Sequence, residues 1–326
     1  MAFTLAEFAK IEKDTLRKSV LNTLLMEIKL GEKVPWETVG ALSTKITRYQ
    51  DLPDIGFRKI NEGYAEGTGH LEQAVETIAL MGVYCDTDKA IERAKNVIGG
   101  TARGIQQDMA LMGMAYKFND KFINGDPDGD PEEFKGLSKR IDDLVTEGFT
   151  GQYIDNAGTA GDGMNLIAAE RHNFLDHLDQ LIYAIKGHKC DVLLMNSDML
   201  LAINSALRRE TLLSHAADQF GRMIDLYRGI PMLDVGVKAD QTTEIITSLE
   251  TLEDEGVAES TSIYAMRFGI GQFLWGIQEY PLEVDDKGLL EDKPVYRTEV
   301  DWPLGLAMAD PYSIARLYGI IPNASN

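Results

Sequence analysis

LSTKITRYQ (42–50) alternates apolar and polar residues as a half-buried strand does, and EQAVETIALMGVY (72–84) offers a second candidate strand. Between them DLPDIGFRKINEGY (51–64) is rich in turn formers, with Pro53, Gly56, Asn61 and Gly63. The pattern predicts a long two-stranded excursion whose tip is ordered but carries little apolar surface of its own. An isolated pair of strands is marginal in water, so this excursion needs a partner to lie on.

Outward from that stretch the chain changes character on both sides. Upstream, Leu5, Phe8, Ala9, Val20, Leu21, Leu24, Leu25 and Ile28 recur at helical spacing, and Gly31 and Pro35 end the run. Downstream, residues 101–123 read as the strongest helix. Ile105, Met109, Met112, Tyr116 and Ile123 form one stripe, and Leu111, Ala115, Phe118 and Phe122 form a second beside it. So wide an apolar face predicts packing on both flanks. Residues 126–163, with DPDGDP and DNAGTAGDG, read as loop-rich. A helix is expected over 166–186, with Ile167, Leu175, Leu178, Ile182 and Ile185 inward and Gly187 closing it.

The remainder alternates strand and helix. CDVLLM (190–195) is a short continuous apolar run typical of a buried strand, and Ser197 is the expected N-cap of a helix to about residue 210. RGIPMLDVG (228–236) and SIYAMRF (262–268) are further strands around an acidic loop. In PVYRTEVDWPLGLAM (294–308), Tyr296, Thr298, Val300, Trp302, Leu304 and Leu306 share one face. Asp310 and Pro311 then predict a short helix reaching Gly319.

With 326 residues the chain exceeds the size at which single cores usually stop growing, so more than one packing unit is expected. No apolar run is long enough to cross a bilayer, and the mixed charges of MAFTLAEFAKIEKDTLRK do not make a signal peptide. The chain therefore reads as soluble and non-secreted. Its formal net charge of −20 argues against binding nucleic acid through phosphate neutralisation. That charge is uneven: residues 240–299 hold fourteen acids and four bases, whereas residues 1–33 hold six bases and five acids. Cys85 and Cys190 form no CxxC and read as buried apolar residues of a reducing compartment.

A search for chemistry finds no catalytic constellation. No phosphate-binding GxxxxGK[ST] is present, and Gly269-Ile270-Gly271 lacks a third glycine. Asp126, Asp128 and Asp130 mimic the start of a calcium loop, but Pro131 stands where glycine is needed and Leu137 where the bidentate Glu belongs. His172 and Asp176 could share a helix face, while His177 points elsewhere. The expectation is no enzyme, no cofactor and no metal.

Four stretches carry a resemblance. LPDIGFRKINEGY (52–64) resembles the flap of tailed-bacteriophage major capsid proteins with the Hong Kong 97-type fold. ALMGMAYKFNDKFINGD (110–126) is similar to the end of that family's spine helix. YRGIPMLDVG (227–236) is similar to an internal strand motif, and KPVYRTEVDWPLGLAMADPYSIARLYGI (293–320) resembles the C-terminal strand and helix. They occur in family order across the whole chain.

The resemblance implies an α+β fold with an N-terminal arm (1–40), an extended hairpin loop (41–82), a peripheral domain with the long spine helix (83–187 and 289–326) and an axial domain (188–288). It implies a structural protein of the virion, made in the bacterial host cytoplasm, assembling with itself as hexamers and pentamers of an icosahedral shell around the genome. A portal and a separate scaffolding protein are implied partners, a decoration protein is a further one, and no membrane is. Arg58, Glu62 and Tyr64, in a coreless excursion with opposite charges, are expected to contact a neighbouring subunit. Lys10, Lys13, Arg17 and Lys18 are expected on the interior side, with packaged DNA touched only weakly and non-specifically. Two alternatives stand beside this reading: an encapsulin-type nanocompartment shell, and a cytoplasmic α/β enzyme or ligand-binding protein.

Overall fold

The computed structural model describes residues 30–31, 33–51, 53–93, 102–155, 164–165, 171–209, 214–217, 223–251 and 258–321. In chain order these form β1 (Trp36–Thr38), β2 (Ser43–Asp51), β3 (His70–Thr77), β4 (Ala79–Asp88), α1 (Lys89–Arg93), α2 (Ala102–Asn124) and α3 (Leu137–Thr146). Then come β5 (Tyr153–Asp155), β6 (Met164–Asn165), α4 (Arg171–Ala184), β7 (Val192–Met195), α5 (Ser197–Arg209), β8 (Ser214–Ala217), β9 (Met223–Tyr227) and β10 (Ile230–Asp234). The last strands are β11 (Glu250–Thr251), β12 (Ala258–Met266), β13 (Leu274–Gln278), β14 (Glu283–Leu289), β15 (Val295–Met308) and β16 (Ile314–Ile321).

Three sheets result. A five-stranded sheet runs β1-β13-β15-β14, with β4 also on β15; a nine-stranded sheet runs β5-β16-β12-β7-β10-β9-β8, with β11 beside β12 and β6 beside β16. The third is the β2–β3 hairpin. Strand β15 organises the first sheet because its fourteen residues serve three partners: β4 along Val295–Leu304, β14 along Tyr296–Asp301 and β13 along Leu304–Met308.

Its inward face behaves as the alternation predicts. Thr298, Val300, Trp302, Leu304 and Leu306 are buried, and Trp302 meets Phe118 of α2 at 5.6 Å and Trp36 at 5.0 Å between ring centroids. Gly276 permits the stacking of Trp36, since a Cβ there would come within 2.5 Å of the indole. The continuous run of β7 has an equally physical cause. Leu193 and Met195 face a cluster made by Phe174, Leu178 and Ile182 of α4 with Met199 and Ile203 of α5, while Val192 and Leu194 face the cluster around Trp302. Both faces of that strand are covered, so both must be apolar.

Several expectations are corrected. The segment 72–84 is not one strand: it breaks at Ile78, whose N–H donates to the carbonyl of Leu42 (2.9 Å), and changes partner from β2 to β15. The stretch read as loop-rich contains α3, which buries Leu137, Arg140, Ile141 and Leu144; its apolar stripe is interrupted by that arginine. The expected C-terminal helix is a single 3-10 turn, Pro311–Ser313, followed by β16. Asp310 does cap that turn through the N–H of Tyr312, but Ile314, Ala315, Leu317 and Ile320 are buried against β12 and its neighbours, and strand pairing prevails over local helix signals. The cap of α5 is Asn196, one residue before Ser197, its Oδ1 accepting from the N–H of Met199 at 2.9 Å. Helix α2 buries Leu111, Met114, Ala115, Phe118 and Phe122, and Ile123 of the other stripe with them, while Met109 and Met112 are exposed.

The sheets also cross the expected domain limits. β13 and β14 (274–289) pair with β15, and β16 lies in the sheet of β7 and β12. The arm helix expected over 5–30, with Lys10, Lys13, Arg17 and Lys18, lies outside the described residues except at Leu30.

Candidate functional site: the extended hairpin and its anchor

The β2–β3 pair runs in register from Ser43↔Thr77 to Tyr49↔Leu71, with an irregularity before Asp51↔His70. Eight residues of β3 at about 3.4 Å rise carry the tip roughly 27 Å from its base. The base belongs to the core. Ile46 and Ile78 pack with Trp275, Ile277 and Ala307, and Gly305 lets the chain approach: a Cβ there would meet the Thr77 carbonyl at 2.6 Å.

A buried ion pair pins this base. Arg140 of α3 is 2% exposed and Glu76 of β3 is 6% exposed. The guanidinium donates to both carboxylate oxygens, at 2.7 and 2.8 Å, and to the carbonyl of Leu306 at 2.8 Å. Arg48 of β2 adds a second positive charge 3.5 Å from Glu76 and donates to the Met308 carbonyl at 3.1 Å. Two-pronged geometry with the remaining donors satisfied is the condition under which a buried ion pair is tolerated. The chain thus ties the hairpin to α3 and β15 at once.

The tip is the opposite. Residues 53–69 are exposed throughout, including Ile55, Phe57, Ile60 and Tyr64. The predicted contact residues do come together here, though within one chain. Arg58 donates to the backbone carbonyl of Glu62 (3.2 Å), not to its carboxylate, and its guanidinium lies 5.0 Å from the centroid of the Tyr64 ring. The Glu62 N–H donates to the Lys59 carbonyl (3.2 Å), and Asn61 takes φ 70°, which closes the turn. The tip is therefore a formed surface presenting Phe57, Arg58, Lys59 and Ile60.

The pinning residues Glu76, Arg48 and Arg140 were missed in the sequence. The available signal was an arginine inside the apolar spacing Leu137–Ile141–Leu144, a polar residue where burial is expected.

Other charged groups of this region are consumed in pairs. Lys139 sits 2.7 Å from Asp128 and 3.7 Å from Asp126, so a lysine occupies the calcium-like turn; the contact lowers the Asp128 pKa. Arg297 grips Asp86 with two bonds (2.7 and 2.6 Å) and holds its carboxyl below the usual Asp range. A groove of about 150 Å³ between β4 and α2, lined in part by Leu80, Met81, Lys117, Lys121 and Phe134, contains the Lys121–Glu133 ion pair (2.5 Å). Asp176 and His177 lie on α4, and no set of three or more His, Cys, Asp or Glu able to hold a metal occurs among the described residues. No described helix is long and apolar enough to cross a membrane.

Residues 37–168, which span the hairpin, α2 and α3, match the family model described as Major capsid protein GP7. The holo-SrpI encapsulin complex of Synechococcus elongatus PCC 7942 aligns with TM-score 0.61 at 15% identity, over 100% of this chain and 99% of that one. The chain has the Hong Kong 97-type capsid fold. Two further capsid-fold structures agree. The capsid of the empty GTA particle aligns with TM-score 0.57 at 16% identity over 90% of each chain. The structure of Mycobacterium phage Bobi does so with 0.55 at 11% over 100% of each. No curated protein matches the chain. The capsid-family match bears out the resemblance read from 52–64 and 110–126, both of which lie inside it.

Proposed function

We propose that this chain is the major capsid protein of a tailed phage, self-assembling into the icosahedral shell that encloses the genome. The observation that carries the reading is the match of residues 37–168 to a major capsid family in a chain with the capsid fold. Its role is structural, not catalytic, and its place is the virion after synthesis in the host cytoplasm. Hexamers and pentamers of this chain, a separate scaffolding protein, a portal and in some shells a decoration protein complete the assembly.

The chain divides into arm (1–40), extended loop (41–82), peripheral domain (83–187 and 289–326) and axial domain (188–288), with β13, β14 and β16 paired across the peripheral–axial limit. The loop reaches over a neighbouring copy with Arg58, Glu62 and Tyr64 in that contact, which accounts for a formed tip that touches none of its own core. Lys10, Lys13, Arg17 and Lys18 face the interior. With a net charge of −20, the wall attracts packaged DNA weakly and non-specifically.

Sedimentation of the expressed chain, alone and with a candidate scaffolding protein, followed by negative-stain imaging, tests the proposal. Closed shells, tubes or capsomer rings are the expected result; a chain that stays small under both conditions overturns it. The fold is shared with an encapsulin complex, so contents separate the two roles: DNA or an empty interior fits a capsid, and a protein cargo fits a nanocompartment.

A further inference from the structure

At one end of the nine-stranded sheet the chain passes three times: residues 186–191 lead from α4 into β7, residues 267–273 leave β12, and residues 309–313 enter β16. In a chain of net charge −20 cations are scarce, and many of the described ones are held by carboxylates. Lys121, Lys139, Arg140, Lys287, Arg297 and Arg316 each have such a partner. At this end of the sheet the pattern reverses. Lys189 is exposed, and neither it nor Arg267 pairs with a carboxylate among the described residues.

The carboxylates nearby are already engaged. Asp191 accepts the N–H of Phe268 at 2.8 Å, and Asp310 takes Lys186 and the N–H of Tyr312. Asp179, one turn before Tyr183, holds Arg228 at 2.6 Å. Lys186, Lys189 and Arg267 against Asp191 and Asp310 leave a small positive excess, so attraction of an anion here is weak and sensitive to salt.

Aromatic rings are set among these cations. The turn after α4 contains two consecutive left-handed residues, Gly187 (φ 70°) and His188 (φ 54°). It lays the His188 ring on Tyr183, with centroids 4.6 Å apart, and Tyr183 is 57% exposed. His188 Nδ1 donates to the Tyr183 carbonyl at 3.0 Å, which leaves Nε2 as the free ring nitrogen. Across the turn Arg267 donates to the Lys186 carbonyl at 2.6 Å, and its guanidinium lies 3.9 Å from the centroid of the Phe273 ring. Gly187 permits that approach, since a Cβ there would come 3.2 Å from Arg267 Nη1. Arg267 is thus positioned by a backbone carbonyl and a ring, with its remaining donors unpaired among the described residues.

Cations beside an exposed aromatic face are the composition with which proteins hold nucleic-acid strands. An acidic protein surface would use the cations alone; the exposed stack favours a ligand that has both phosphates and flat rings. We propose that Tyr183, His188, Lys189 and Arg267 form a nucleic-acid contact site. Lys189 and Arg267 take phosphate oxygens, and the Tyr183–His188 stack lies against sugar and base. The proposal rests on the capsid reading and deepens it, because it names where packaged DNA meets a wall that is otherwise acidic.

The test titrates the full chain into fluorescein-labelled short oligonucleotides, single-stranded and duplex, by anisotropy over a range of salt. Lys189→Glu is expected to weaken binding about tenfold and to lower the slope of log affinity against log salt by about one, as for one lost phosphate contact. Tyr183→Ala should weaken the single strand about fivefold or more, the loss of one stacking surface. Lys293→Glu makes the same charge change beyond the far end of β15, roughly 45 Å along that strand, and should leave affinity nearly unchanged because distant exposed charges are screened. In particles, acetylation of Lys189 should fall several-fold in DNA-filled shells relative to empty ones. Unchanged affinity in Lys189→Glu, an equal loss in Lys293→Glu, or equal acetylation in filled and empty shells overturns the site. Competition by poly-L-glutamate as effective as that by unlabelled oligonucleotide overturns it too, and marks a surface for acidic protein instead. None of these outcomes touches the capsid reading, which falls only if the parent chain forms no shells.

Discussion

Phe57 and Phe118 are the same side chain under opposite conditions. Phe118 is fully buried among Trp36, Phe122, Phe134 and Trp302, and Phe57 stands free at the hairpin tip. One contributes its hydrophobic free energy when the chain folds; the other retains it until a second surface arrives. Exposed apolar patches on an otherwise charged protein mark contact sites. In the proposed shell the molecule would divide its apolar residues between folding and assembly, with the Glu76–Arg140 pin as the join between the two.

The strongest way to sharpen that contrast is to truncate one aromatic in each region. Trp302→Ala is expected to cost about 3–5 kcal/mol of folding stability by denaturant titration, the usual range for emptying a large aromatic site. Phe57→Ala should stay within about 0.5 kcal/mol of the parent in the same titration while lowering the yield of shells. A stability loss at Phe57 comparable to that at Trp302 would erase the distinction.

Breaking the join should come next in size. Arg140→Leu leaves Glu76 buried with only Arg48 nearby and is expected to destabilise by about 3 kcal/mol. The double variant Arg140→Leu, Glu76→Leu should recover most of that loss in thermal melts, because no unpaired charge is then buried. If the double variant is no better than the single, the pair holds the hairpin through its specific geometry and not merely by avoiding an orphan charge.

A smaller effect is expected at Gly305. A valine there meets the Thr77 carbonyl and should cost about 1–3 kcal/mol through displacement of the hairpin base. Hydrogen exchange on β3 amides checks it: faster exchange near Thr77, with α2 unchanged, is the expected pattern. The least effect concerns the cysteines. Burial pushes the Cys190 thiol up to about 12, so at pH 8 iodoacetamide should label it only after unfolding. Because the folded value lies above the thiol's ordinary range, any contribution of Cys190 to stability is complete at neutral pH. It declines as pH rises above the free thiol's pKa of about 8.5 and is lost by the folded value of about 12, because the unfolded chain releases the proton first.

Much of this was legible in the amino-acid order. The face of β15 from Thr298 to Leu306, the run of α2 and the coreless hairpin each follow from a periodicity of two or 3.6 that neighbouring residues carry among themselves. The exposure of the hairpin tip could also be read, since residues 51–64 hold turn formers and few apolar residues. The short helix α3 was hidden because ten residues with an arginine in the apolar stripe leave little periodic signal. β16 was hidden because a capped proline turn precedes it and only the insertion of Ile314, Ala315 and Leu317 beside β12 makes the extended form the better one.

By itself, then, the sequence determined the local periods, the long hairpin and the acidic balance of the chain. Only the tertiary structure decided that β3 ends at Thr77, that Glu76 meets Arg140 across 64 positions, and that Glu283 faces Asp301. The physical reason is the same in each case. Periodicity is a property of adjacent residues. Pairing of distant strands and charges depends on which surfaces the packed core brings together, and no local stretch of the chain contains that information.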